Sequence, residues 1–157
     1  MLLRTTIAWC LMVAVAGAQT MRGQGGAWNR VRYSGGTVQA KADPFDWNTT
    51  VKVLPDDIVF TIAYRKTVHI KPSEVTALSY GREAHRRVAD MVTLSLMLSP
   101  LALFGLLHES KIHFIGIEYR AGDGKPGAVL LEAHKDDYRS ILGALKTVTG
   151  KAVANEP

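Results

Sequence analysis

Cysteine is nearly absent from this 157-residue chain: the only one is Cys10. It lies in an apolar N-terminal stretch that reads as a leader, so the mature chain is expected to carry no thiol. That excludes a disulfide framework, thiol catalysis and a thiolate metal site. The sequence motifs of common catalytic machinery are missing too. There is no G-x-S-x-G, no Walker sequence and no dinucleotide fingerprint. A large charge excess is also lacking. Nineteen Lys+Arg face 14 Asp+Glu, a formal charge of +5 that falls to +4 once Arg4 leaves with the leader. So small a surplus favours anionic surfaces weakly and does not indicate nucleic acid. No internal repeat is visible. The expectation is a non-enzymatic protein with no cofactor and no nucleic-acid partner.

The histidines do not change that expectation. "HESKIH" (His108–His113) spaces its two histidines by five, whereas a zincin helix needs i and i+4. On a helix the two rings stand about 140° apart, and on a strand they take opposite faces. His85 beside Glu83 and His134 beside Asp136 read as ordinary surface combinations. His69 alternates with Val68 and Ile70, so it should face outward or line a groove. "GDGKPG" (Gly122–Gly127) joins two strands and does not feed a helix N-terminus, so it lacks the context of a phosphate cradle. Trp28, Trp47, Tyr64 and Tyr80 read as core or rim residues rather than as a ligand cage.

What is present begins with the leader. "MLLRTTIAWCLMVAVAGAQ" has Arg4 in a short basic region, an apolar run from Ile7 to Val15, and the small-residue site Ala16-Gly17-Ala18. These are the marks of a secretory signal peptide over residues 1–18, cleaved before Gln19. The protein is therefore expected to be exported and periplasmic. Residues 19–34, Gly- and Arg-rich without periodicity, read as a flexible lead-in.

Seven short strand signals follow: Gly35–Lys41, Thr49–Leu54, Ile58–Tyr64, Thr67–Lys71, Glu74–Tyr80, Lys111–Tyr119 and Ala128–His134. The sixth is apolar on both faces, with Gly116 where a barrel strand could bend. Tyr138, Ile141, Leu142, Leu145 and Val148 then form one apolar helical stripe. Asp136 and Asp137 suit its N-terminus and Gly150 its end. Residues 151–157 read as a frayed tail.

Seven short strands and one C-terminal amphipathic helix, over about Gly35 to Gly150, resemble the pleckstrin-homology-like superfamily, which includes the GRAM domains. The order is also similar to that of small exported bacterial proteins with no assigned activity. The resemblance implies a mainly β fold: a bent seven-stranded barrel closed at one end by the helix. Two features depart from the family pattern. The leader places this chain outside the cytosol, and an apolar insertion (residues 83–108) separates strands five and six. No phosphate-binding residue carries over, because no lysine/arginine motif in the early hairpins matches.

That insertion holds "VADMVTLSLMLSPLALFGLL" (Val88–Leu107), whose last 17 residues carry no charge. Three readings compete. It could be a core helix buried through a dimer or partner interface. It could be a single span, marginal in length for about 30 Å of hydrocarbon. Or it could be a helical excursion that leaves and returns on one side. Ser99-Pro100 favours the last, as an N-cap followed by a helix-starting proline. Glu83–Leu98 would reach about 24 Å and Pro100–Leu107 would return about 12 Å. The expected bilayer contacts are Met91, Leu94, Leu96, Leu98, Leu101, Leu103, Phe104 and Leu106. Arg82, Arg86 and Arg87 are the expected headgroup ligands, and Asp90 is expected to pair with an arginine. The function expected is a membrane-associated binding module whose partner is membrane lipid or a membrane protein. The alternative is a soluble periplasmic protein-interaction domain whose apolar insertion is the interface of a homo-oligomer, such as a dimer, or of a partner protein.

Overall fold

The computed structural model describes residues 25–43, 45–92 and 112–157. The leader and residues 93–111 lie outside the described residues. The strands are β1 (Gly26–Gly36), β2 (Thr49–Val53), β3 (Ile58–Ile62), β4 (Lys66–Ile70), β5 (Val75–Tyr80), β6 (His113–Arg120), β7 (Pro126–Ala133) and β8 (Val153–Ala154). Helix α1 (Gly81–Val92) follows β5, helix α2 (Tyr138–Thr149) follows β7, and a 3-10 turn (Pro72–Glu74) joins β4 to β5. The fold is mainly β, as its strand signals predict.

Among the described residues all eight strands belong to one sheet in the order β4-β3-β2-β1-β7-β6-β5-β8. Every neighbouring pair is antiparallel except β5 with β8. The ladder ends at β4 and β8, so the expected closed barrel of seven strands is corrected to an open sheet of eight. Between β4 and β5 the chain makes a 3-10 turn with Pro72 at its start. Proline has no N–H to give a ladder there.

Residues 26–34 of the expected lead-in, together with Gly35 and Gly36, form β1 instead, the strand between β2 and β7. Val31 and Tyr33 are its buried apolar side chains and Trp28 packs half-buried against the core, so alternation is faint. A Cβ at Gly26 would lie 2.3 Å from the Trp28 ring, so a larger residue there would have to displace that ring. The expected first strand at Gly35–Lys41 is the end of β1 and a loop, tied down by the Thr37 N–H to the Ala128 carbonyl at 2.9 Å. The tail is not frayed: Val153, 8% exposed, pairs beside Leu78, and Lys146 holds Glu156 at 2.6 Å.

Two layers of helix cover the sheet. On one face α2 seats Ile141, Leu142 and Leu145 in a large core with Val31, Val51, Phe60, Ile115, Ile117, Val129 and Leu131. Gly150 ends the helix with φ +66°, a left-handed turn natural to glycine, and its N–H reaches the Lys146 carbonyl at 2.9 Å. Asp137 stands at the helix start, but its carboxylate receives Arg30 at 2.8 and 2.9 Å. On the other face α1 lays Ala84 and Val88 against Phe114, Ala128 and Leu130. Strands β6 and β7 are therefore buried on both faces, which explains their nearly continuous apolar runs.

Gly116 serves that packing rather than a barrel bend. A Cβ there would lie 2.5 Å from Ser79 Oγ and 3.1 Å from the Cα and Cβ of Ala84. Gly116→Ala should push α1 off the sheet and destabilise the fold by about 1–3 kcal/mol. The check is the urea midpoint, which should fall; an unchanged midpoint would mean that α1 does not press on β6.

Candidate functional site

The registers place several features at one end of the sheet. Tyr80 of β5 pairs with Ile115, and His113 of β6 with Ala133 of β7. Val31 meets both Thr49 and Ala133; Thr49 meets Ile62, and Ile62 meets Lys66. The ends of β3, β5 and β7 and the starts of β2, β4 and β6 thus share one edge. Here the chain turns into α1 after Tyr80 and re-enters the sheet at His113.

An aromatic stack holds this edge together. The His113 ring lies 3.9 Å from that of Tyr138 at an interplanar angle of 4°, and Tyr80 lies 5.5 Å from Tyr138. The Tyr80 hydroxyl and His113 Nδ1 share a hydrogen bond of 2.6 Å, whose donor is set by the histidine tautomer. Arg139 Nε–H donates to the Tyr138 hydroxyl at 2.9 Å. Burial, with Tyr138 beside it, pushes the Tyr80 phenol up to about 12. Tyr80 is therefore a neutral phenol at physiological pH. The stack ties β5, β6 and α2 together by contact and hydrogen bonding.

Around the β3–β4 turn and the loop before β2, two aromatic side chains reach into solvent. Phe45 is 73% exposed and Tyr64 70%. Phe45 sits in the Asp43–Asn48 loop, where its N–H donates to the Asp43 carboxylate at 2.9 Å. Tyr64 caps the β3–β4 turn. Both Ala63 (φ +51°) and Tyr64 (φ +54°) take the left-handed conformation, as a tight hairpin with right-twisted strands requires. The Tyr64 hydroxyl donates to the Trp47 carbonyl at 3.2 Å, which joins the two loops. Trp47 is half-buried at the rim, where its sequence reading allows either core or rim. Its ring lies under Arg32, 3.9 Å away, and edge-on to His134 at 5.6 Å. Arg32 pairs with Glu132 at 3.2 Å. Burial raises the Glu132 carboxyl above its ordinary range while Arg32 pulls it down.

The arginines expected at lipid headgroups lie on α1. Arg86 binds Glu83 at 2.7 Å and Asp90 at 3.6 Å. Arg87 binds Glu83 at 2.7 Å and Glu118 at 3.4 Å. Arg82 is exposed, and no ion pair holds it among the described residues. Met91 is half-buried against the α1 cluster together with Ile112. Leu94, Leu96, Leu98, Leu101, Leu103, Phe104 and Leu106 lie outside the described residues.

Other histidine readings fare differently. His69 is exposed and pairs with Asp57 at 2.7 Å, and His134 pairs with Asp136 at 3.3 Å. His85, read as a surface partner of Glu83, is instead 6% exposed, with its ring 5.9 Å from Phe114. It lies next to Ala84 and three residues before Val88, on the stripe that faces the sheet. Among the described residues no group of three or more His, Cys, Asp or Glu is placed to hold a metal ion.

Hydrogen bonds from Arg86 and Arg87 hold the Glu83 carboxyl down at about 2. Its stabilising share is complete above about 4.5 and is lost as pH falls toward about 2. Glu83→Gln should therefore show a shallower loss of thermal stability across that window than the unchanged protein. Parallel pH profiles for the two would show that the ion pairs contribute nothing to folding.

No protein-family model matches the chain, and no curated protein matches it. Among solved structures it is similar to a chain of the Spt16D Pob3N heterodimer, with 9% identity and a TM-score of 0.49. The match covers 85% of this chain, which spans about half (54%) of that one.

Proposed function

We propose that this chain is an exported, non-enzymatic binding module on a PH-like plan, held at a bilayer by its apolar insertion. Its partner is membrane lipid or a membrane protein. One observation carries the reading: the uncharged run Met91–Leu107 is spliced between two paired neighbours, β5 and β6. Phe45, Tyr64 and Arg65 stand at the same end of the sheet. Aromatic rings beside cationic side chains suit the headgroup layer, where an apolar body and a polar tip are both accommodated.

The ladder also speaks against a single crossing. Strands before the run (β1, β5) pair with strands after it (β7, β6). A full span would leave them on opposite sides of the bilayer. Among the described residues no helix is long and apolar enough to cross a membrane. The PH-like plan rests on the strand order and on α2 packing against the sheet, with the ladder left open between β4 and β5.

Fractionation of cells that express the full chain tests the proposal. The expected result is an exported protein in a membrane pellet that resists carbonate. A soluble, exported oligomer would overturn it and favour the insertion as a dimer or partner interface.

A further inference from the structure

His85 is buried without a use in the account so far. It is 6% exposed, its ring packs on Phe114, and its Nε2 is buried with no hydrogen-bond partner. An unsatisfied buried polar atom asks for an explanation. We propose that His85 makes the docking of α1 on the sheet sensitive to acid: the neutral imidazole is held in the seam, and its protonated form drives the helix out. The seam is a close approach of α1 to the sheet, with Ala84 over Gly116.

Among the described residues, no free carboxylate faces the cation. On its own helix Glu83 is taken by Arg86 and Arg87, Asp90 by Arg86, and Arg82 adds a like charge. From β6 come Glu118, bound to Arg87, and His113, bonded to Tyr80 of β5. From β7 comes Glu132, bound to Arg32 of β1. Each carboxylate is already matched to an arginine, so a proton on His85 would place an unpaired charge in an apolar seam. Burial accordingly lowers the His85 pKa from its ordinary value. Docking is therefore favoured in full above about 6.5 and weakened as pH falls below it. Released, α1 would add the apolar faces of Ala84, Val88 and Met91 to the uncharged run that follows. This consequence rests on the bilayer reading; the switch itself does not.

Hydrogen exchange of the full chain without lipid tests the switch. Protection of α1 amides, corrected for the intrinsic rate, should fall between pH 7.5 and 5 by up to about tenfold per pH unit below about 6.5. Amides of β2 and β3 should change far less. In His85→Gln and His85→Leu the protection of α1 should not depend on pH. Protection that stays level in the unchanged protein, or that falls equally in the variants, would overturn the proposal. Should neither variant fold, NMR titration of the unchanged protein decides. A His85 imidazole titrating below the ordinary histidine value of about 6.5 supports the switch, and one titrating at that value or above overturns it. Co-sedimentation with phosphatidylglycerol/phosphatidylcholine vesicles at pH 7.5 and 5 tests the consequence separately. A switch without a rise in binding at pH 5 would leave the switch standing and remove its link to the bilayer.

Discussion

Leu145→Ala is expected to lower the stability of the fold by about 2–5 kcal/mol. Leu145 is 0% exposed and lies between Ile141 and Leu142 on one side and Val148 on the other. Its helix packs over β1, β2, β6 and the 3-10 turn. Removing the isobutyl group forfeits its transfer out of water and leaves a void that the sheet below, backed by α1 on its far face, fills poorly. For a domain of this size the melting temperature should drop by roughly 10–20 °C. Deleting residues 138–149 should unfold the domain altogether. A chemical-denaturation midpoint unchanged in Leu145→Ala would mean that α2 does not cover the core.

The elements that could be read from sequence are those whose pattern is local. Ile58, Phe60 and Ile62 alternate, and each is fully buried in β3. Tyr138, Ile141, Leu142 and Leu145 recur at helical spacing, and all four are buried in α2. Strand β1 escapes such reading because distant partners satisfy it. Trp28 Nε1–H donates to Ser140 at 2.9 Å, and Arg30 binds Asp137, each across more than a hundred residues. Strand β8 is two residues long, too short for any periodicity. His85 looks like a surface residue until the side of α1 that meets the sheet is known. The stack of Tyr80, His113 and Tyr138 has no local signature either, since it joins three elements through the sheet register. Gly116 was legible as a special position, but its reason, the approach of Ala84, was not.

Replacing Leu96, Leu98, Leu101 and Leu103 together by serine is the second change with a large expected effect. It should release the protein from bilayers and leave the sheet folded. Each leucine buried in a bilayer would contribute roughly 1.5–3 kcal/mol, so four would suffice to set the partition. The sheet should survive because β5 and β6 pair across the insertion, Tyr80 with Ile115, and the stack of Tyr80, His113 and Tyr138 joins the end of β5 to the start of β6. A buried core helix would behave in the opposite way, since four polar groups forced into an apolar interior would collapse the fold. The deciding measurement is liposome co-sedimentation with circular dichroism on the same four-fold variant. The account predicts lost vesicle binding with the β-sheet spectrum retained. Lost β-structure, or undiminished binding by a folded variant, would contradict it.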